Sequence, residues 1–334
     1  MTGQFKGLPI CDQVQVRVLM DNAVDEFLPA APGIERFSFI RPGYEELPLP
    51  LRAEHGFSLL VRWQIADRDH ALLFDFGLSA DGLAENLRAL GEDLTEVEAL
   101  ALSHGHWDHF GGLAMLPFHG RHTPFYHGPE AFRERRIGPS GREVNVGRIN
   151  QEWLERLSLV ACEVAQPQEI LPGALLAGRI PRETAFEGAT GPFQVKHGDK
   201  WGPDYLPGEM ALIMRTQRGL LVISGCAHAG IVNTVLYARR LTGEKKVHAV
   251  LGGFHLVTSS SEVIDRTIRC IADIDPDVVL PMHCTGNAAS IAIAKDLEGA
   301  YRVSVVGTTL HFPLLAAAPA DAQAETPRVQ SAAP

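Results

Sequence analysis

The sequence predicts an α/β fold built of stacked layers, and three observations carry that prediction. From Met210 to Phe312 short apolar runs alternate with stretches of helical spacing, the pattern of strands and helices that pack as layers. One apolar run after another ends in a histidine or an acid: Ala71–Phe74 in Asp75, Val97–Leu102 in His104, Leu220–Ile223 in His228, His248–Leu251 in His255, Val278–Leu280 in His283. An apolar share of 46% with 21% charged residues over 334 positions supplies enough material for one large core.

Taken in order, Val14–Met20 is rich in Val and Leu and reads as a first strand, and the Pro-rich, acidic stretch from Asp21 to Leu51 as a long loop or flap. Ser58–Trp63 and Ala71–Asp75, joined by the polar Ala66–His70, read as a hairpin. Leu83, Leu87 and Leu90 recur at helical spacing, so a helix is expected over about Asp81–Leu90, with Ser79 or Asp81 capping its start. Between about Gly120 and Asp204 the periodicity weakens and Pro and Gly accumulate. That region reads as an insertion or lid within one catalytic domain, 1–313. Regular patterning then returns as a hairpin (Met210–Thr216, Gly219–Ser224), a helix (Ile231–Leu241), a strand (Val247–Leu251), a helix (Glu262–Ile274), a strand (Val278–Pro281), a helix (Asn287–Leu297) and final strands (Arg302–Val306, Thr308–Phe312). The Ala- and Pro-rich Leu314–Pro334 has no apolar period and is expected to be a disordered tail.

A formal net charge of -10 argues against wrapping nucleic acid, which needs clustered Lys and Arg to neutralise phosphates. The partner expected instead is a small molecule. No run approaches the ~20 apolar residues of a membrane helix, and the start lacks a basic stretch followed by an apolar signal core. Cys11, Cys162, Cys226, Cys270 and Cys284 form an odd set without a Cys-x-x-Cys pair, which fits a reducing compartment and a cytoplasmic location.

Ligands of α/β sheets gather at the carboxyl ends of strands, so the five polar strand ends can converge on one rim. Within the run His104-Gly105-His106-Trp107-Asp108-His109, His104 and His106 are two apart and project to the same side of an extended segment, where they can share one metal. Asp108 and His109 fall where the chain turns toward a helix and can hold a second. Imidazole nitrogen with carboxylate oxygen suits Zn²⁺, Fe or Mn²⁺. A pair of such ions ~3.5–4 Å apart activates a hydroxide and polarises a substrate oxygen. Asp108 is then the residue that orients the nucleophile.

Leu102-Ser103-His104-Gly105-His106-Trp107-Asp108-His109-Phe110-Gly111-Gly112 resembles the H-x-H-x-D-H signature of the metallo-β-lactamase superfamily. Glu54-His55-Gly56, Asp75-Phe76-Gly77, Gly225-Cys226-Ala227-His228-Ala229-Gly230, Gly252-Gly253-Phe254-His255-Leu256 and His283-Cys284-Thr285-Gly286 extend the resemblance to one branch. This is the group of metal-dependent hydrolases similar to dihydropterin–ribofuranosylaminobenzene phosphate synthase, and the likeness runs over roughly residues 14–312. It implies an αββα sandwich with two divalent ions. His104 and His106 would hold the first, Asp108 and His109 the second, and His283 would complete the second, with Asp75 behind the ligands fixing an orientation by hydrogen bonding.

The superfamily pattern also has an aspartate after a later strand that bridges the metals, and here that motif reads Gly-Cys-Ala-His. His228 and His255 are both candidates to take that place. Cys226 and Cys284 are expected as core filler rather than ligands, while Glu209 and Asp204 stand where an early ligand would come from or serve as turn acids. His55 is expected either to hydrogen-bond a substrate or the buried carboxylate, or to be structural. Trp107 offers a ring for stacking or packing. Among Arg133, Arg135, Arg136, Arg142 and Arg148, Arg133 and Arg136 are candidates to clamp a phosphate or carboxylate. The resulting expectation is a hydrolase using a metal-bound hydroxide on a small, anionic or phosphorylated molecule. A pterin-related synthase and an iron-dependent oxygenase on the same fold are the alternatives.

Overall fold

Two-residue periodicity within strands determines how the layers form. Val14, Val16 and Val18 point one way from the strand Gln13–Met20, while Leu19 points the other. The same split divides Leu72 and Phe74 from Leu73, Leu221 and Ile223 from Val222, and Ala249 and Leu251 from Val250. Both faces of these strands are therefore apolar, and each must be covered. In this computed structural model, which describes residues 3–38, 49–188 and 191–313, two sheets cover each other and helices cover their outer faces.

The first sheet has eight strands in the order Leu159–Glu163, Thr123–His127, Ala99–Leu102, Arg68–Phe74, Ser58–Ile65, Gln13–Met20, Thr309–Phe312 and Ile34–Glu35. The second has seven: Gln168–Leu171, Ala174–Leu176, Ala211–Thr216, Gly219–Ser224, Val247–Gly253 and Val278–Met282 in that order, with Ile10–Cys11 alongside Ala211–Thr216. Val14, Val61, Phe74 and Ala101 of the first sheet meet Leu212, Ile223, Leu251 and Leu280 of the second in the central core. Outside the first sheet, Leu83 and Leu87 of the helix Gly82–Leu90 and Leu154 of the helix Gln151–Arg156 pack on Leu73, Leu100 and Leu102. Outside the second, the helices Ile231–Thr242, Ser261–Ile274 and Asn287–Asp296 bury Ile231, Val235, Ile268, Ile271 and Ile293 on Val222, Val250 and Val279. The layers are helix, sheet, sheet, helix, as the resemblance implied.

Most expected elements are present within a residue or two, but two readings change and one open choice is decided. Arg302–Val306 is not a strand. This segment leaves the second sheet at a single bridge between Tyr301 and Val279 and joins the first at Thr309, so it crosses between sheets and ladders with neither. The region 120–204 is not one insertion. Thr123–His127 and Leu159–Glu163 extend one edge of the first sheet, and Gln168–Leu171 and Ala174–Leu176 extend an edge of the second. What stands apart is a four-stranded sheet, Lys200–Pro203, Phe193–His197, Arg135–Ile137 and Val144–Gly147. The helix at Gly82 takes its cap from Ser79, whose Oγ accepts from the Gly82 amide at 3.1 Å, while Asp81 makes no side-chain cap bond. The tail 314–334 and most of the second half of the loop 21–51 lie outside the described residues.

In the second sheet Gly219–Ser224, Val247–Gly253 and Val278–Met282 run parallel, and in the first Arg68–Phe74, Ala99–Leu102 and Thr123–His127 do. Their carboxyl ends meet at one rim, where the Met210 amide donates to the Ser103 carbonyl and the Gly253 amide to the Gly225 carbonyl.

Candidate metal centre

Four of the turns at this rim are sharp, and they aim the side chains. Asp75, Ala227, His255 and His283 have φ of 59°, 52°, 49° and 48°, in the left-handed region that non-glycine residues seldom occupy. Two close approaches hold the turns together. A Cβ on Gly225 would strike the Ser103 side chain, and one on Gly111 would strike the Leu78 carbonyl, so only glycine permits these loops to pack so tightly.

Asp75 organises the centre from beneath. Fully buried, it accepts from the Ser103 amide at 2.6 Å, the Ser103 hydroxyl at 2.7 Å and His109 Nδ1 at 2.7 Å. The Ser103 hydroxyl spends its proton on Asp75, so its oxygen accepts from His104 Nδ1 at 2.9 Å. His283 Nδ1 in turn donates to Asn22 Oδ1 at 3.2 Å, and Asp21 fixes the same turn by accepting from the His283 amide at 2.9 Å. In His104, His109 and His283, then, Nδ1 is occupied and Nε2 is left to face inward, the arrangement that orients ligating imidazoles.

His109 Nε2 meets Cys226 Sγ at 3.1 Å, but most of the atoms facing this point lack hydrogen-bond partners. His104 Nε2, His106 Nε2, His228 Nε2, His283 Nε2 and Asp108 Oδ1 are buried and unpaired. Such a concentration of orphaned acceptors is costly unless a cation satisfies them. The ligand atoms of His104, Cys226 and His228 lie within 4.8 Å of one another, and so do those of His109, Cys226 and His283 and those of His55, Asp108 and His283. Asp108 Oδ2 stands 3.3 Å from His283 Nε2, 3.6 Å from His55 Nε2 and 3.9 Å from His109 Nε2. The donor set, imidazole nitrogens with a carboxylate and a thiol, fits divalent metal ions.

The electrostatics of His104, His228 and Asp108 agree with that fit, whereas His109 carries a proton that an ion would have to displace. Burial pushes the pKa values of His104 and His228 well below the usual value, so both are neutral imidazoles with a free lone pair. Burial opposes charge on His109 as well, but the Asp75 and Asp108 carboxylates override it and raise its pKa to about 9. Against its own desolvation, Asp108 is held well below the ordinary carboxylate range by His109 and His283.

The other candidates separate clearly. His228 stands in the centre, its ring 4.9 Å from that of His104, and His255 lies behind it at 4.0 Å. His255 shares its nearest cluster with Cys226 and Cys284. Glu209 is committed elsewhere, since its two oxygens accept from the His228 and Ala229 amides at 2.5 and 2.6 Å and brace the turn. Asp204 accepts from Arg135 Nε at 2.7 Å and approaches His106 Nε2 at 3.7 Å. Arg133 is tied to Glu130 and the Lys196 carbonyl, and Arg136 to Gln194 and Glu143 beneath the Trp201 ring. Both serve the small sheet. Trp107 is half-buried beside the aromatic ring that does cover the centre, Phe193, which stacks on His106 at 4.3 Å and comes within 6.3 Å of His255.

A profile of the metallo-β-lactamase superfamily matches residues 51–283, from the first turn before Glu54 to the last histidine of the rim. The chain belongs to the metallo-β-lactamase superfamily. It is 26% identical over 271 residues to the 7,8-dihydropterin-6-methyl-4-(β-D-ribofuranosyl)-aminobenzene-5'-phosphate synthase of Methanocaldococcus jannaschii, covering 79% of this chain and 92% of that one. An uncharacterized protein of the same organism is 32% identical over 247 residues, 73% of this chain and 88% of its own. The solved structure of Tm1679, a metal-dependent hydrolase of the β-lactamase superfamily, aligns with a TM-score of 0.69 at 29% identity, over 89% of this chain and 98% of that one. The layering described above is thus the metallo-β-lactamase fold. No helix among the described residues is long and apolar enough to cross a membrane.

Three residues at this centre were not singled out from the sequence: Asn22, Ser103 and Phe193. Ser103 alone carried a usable signal, its place between an apolar strand and the first ligand.

Proposed function

We propose that the chain is a metal-dependent hydrolase acting on a small anionic molecule, a phosphate ester or diester being the first class to test. The observation that carries this reading is the set of buried, unpaired Nε2 atoms of His104, His106, His228 and His283 around Asp108. When bound, a pair of divalent ions there supplies an activated water and a Lewis acid for the substrate oxygen. His104, His106 and His228 would hold one ion, and Asp108, His109 and His283 the other. Asp108 has a second oxygen to orient the attacking water, and His55, half-exposed with its pKa lowered by burial and by His283, is placed to relay a proton at Nε2.

A cavity of about 300 Å³ opens beside His228 and His255, walled by Phe186, Phe254 and Leu256 and edged by Ser259 and Ser260. Arg182 supports an anionic substrate. It is exposed, forms no ion pair among the described residues, and donates only to the Tyr205 carbonyl at 2.8 Å among the hydrogen bonds described. A pterin-related synthase is the second reading, favoured by the relative of that name covering 92% of its length.

Metal content of the purified protein, with turnover of phosphodiester, phosphomonoester, lactone and carboxylic ester panels, tests the first reading. Loss of metal and of turnover in His104→Ala and Asp108→Ala is expected, whereas unchanged metal content in both variants refutes it. Formation of a pterin–aminobenzene product with no hydrolysis of any panel member favours the second. Bound iron with thiol-dependent oxygen uptake would replace both with an oxygenase.

A further inference from the structure

The cluster with His104 and His228 and the cluster with His109 and His283 share one atom. Cys226 Sγ lies within 4.8 Å of the ligand nitrogens of His104 and His228 and equally of those of His109 and His283, and it is 3.1 Å from His109 Nε2. No carboxylate competes for that position among the described residues: Asp108 sides with His283, Asp75 is spent on Ser103 and His109, Glu209 on two backbone amides, and Asp204 on Arg135. Cys226 itself is 2% exposed, in the turn whose sequence departs from the aspartate pattern.

We propose that the Cys226 thiolate bridges the two ions, one sulfur replacing the carboxylate bridge. This rests on the metal-centre reading above but on no particular substrate. Metal–thiolate bonds of ~2.3 Å meeting at a bent sulfur span the ~3.5–4 Å of a dinuclear site. As the two metal–sulfur bonds form, the S–H bond breaks and its proton passes to solvent, so binding consumes no oxidant or reductant. A sulfur at this position selects the cofactor: zinc, cobalt or ferrous ions rather than magnesium, whose hard ion prefers oxygen ligands. Cys284, which also lies near Cys226 and His255, is outside both histidine clusters and takes no part.

The test loads the full chain with Co²⁺ or Zn²⁺ and reads coordination, not turnover. Expected are two ions per chain, a thiolate-to-cobalt charge-transfer band that grows through both equivalents, and on average one sulfur per zinc by X-ray absorption. Cys226→Ser should abolish the band, Cys226→Asp should restore two ions without it, and Cys284→Ser should keep both ions and band. A band complete after one equivalent, with half a sulfur per zinc, means a terminal ligand and overturns the bridge. So does a band that survives in Cys226→Ser or disappears only in Cys284→Ser. Two ions without any sulfur ligation refute the bridge alone, whereas no metal uptake by the wild-type chain refutes the metal centre as well.

Discussion

Replacing Asp75 by asparagine tests whether the second layer of the site determines its metal affinity. The carboxylate is completely buried and receives three short bonds, from the Ser103 amide at 2.6 Å, the Ser103 hydroxyl at 2.7 Å and His109 Nδ1 at 2.7 Å. Asparagine preserves the shape, and its oxygen can still accept from the Ser103 amide. Its NH₂ group then replaces Oδ2 and meets His109 Nδ1 with a proton instead of a lone pair. His109 must accept there and carry its own proton on Nε2, the atom that faces Cys226 and Asp108. A protonated Nε2 cannot ligate. Loss of an orienting partner of this kind costs about 10–100-fold in metal affinity, or ~1.4–2.7 kcal/mol. The measurement is a competition titration of zinc against a chromophoric chelator, with circular dichroism of the same sample to establish folding. Affinity within about twofold of wild type in a folded Asp75→Asn protein would refute the argument that Asp75 sets the His109 tautomer.

Arg135→Ala should lower unfolding stability by ~3–5 kcal/mol, because it strands Asp204, whose side chain is 0% exposed, without its cation; chemical denaturation measures this, and a loss below about 1 kcal/mol contradicts it. Phe193→Ala removes the ring stacked on His106, an aromatic contact worth ~0.5–1.5 kcal/mol, and should raise KM about 2–10-fold with less change in kcat if that ring also contacts substrate. Chelator-treated protein should be destabilised by acid. The folded-state pKa values of His104, His106 and His228 lie below their unfolded value of 6.5, so below that pH the unfolded chain binds protons first and stability falls. The raised pKa of His109 works in the opposite sense: its contribution is complete below pH 6.5 and is lost as pH rises through about 9. A Tm that stayed flat from pH 7 to pH 5 in the chelated sample would contradict the assignment of these imidazoles as buried and neutral.

The legible parts of this molecule were those whose information is local. His104, His106, Asp108 and His109 could be read together because a strand end and a helix start place six consecutive residues around one point. Asp75 was readable as a polar residue closing an apolar strand. His228 and His283 were recognised the same way, but sequence could not say that Cys226 lies between them, since that depends on how the two sheets dock. Asn22 and His283 are 261 residues apart, and Arg135 and Asp204 are 69 apart. Nothing in either local sequence marks the partner. Arg133 and Arg136 are the candidate cations from sequence, yet Arg135 is the one turned inward, where Asp204 and the Glu130 and Ala131 carbonyls accept from its guanidinium. The weak pattern between 120 and 204 reflected short edge strands, such as Leu159–Glu163, where Val160 is exposed and no second face demands apolar residues.

The left-handed turns at Asp75, Ala227, His255 and His283 have a consequence for how the protein comes apart. Each such conformation lies ~1–3 kcal/mol above the chain's relaxed alternatives and persists only because surrounding structure enforces it. The restraint comes from both sheets: Asp75 belongs to one, and the other three turns follow strands of the other. A peptide cut from any one turn would relax and lose the ligand geometry. The side-chain constellation at the rim is thus a property of the docked sheets rather than of its loops, and any ions held there should leave in the same cooperative step in which the sheets separate.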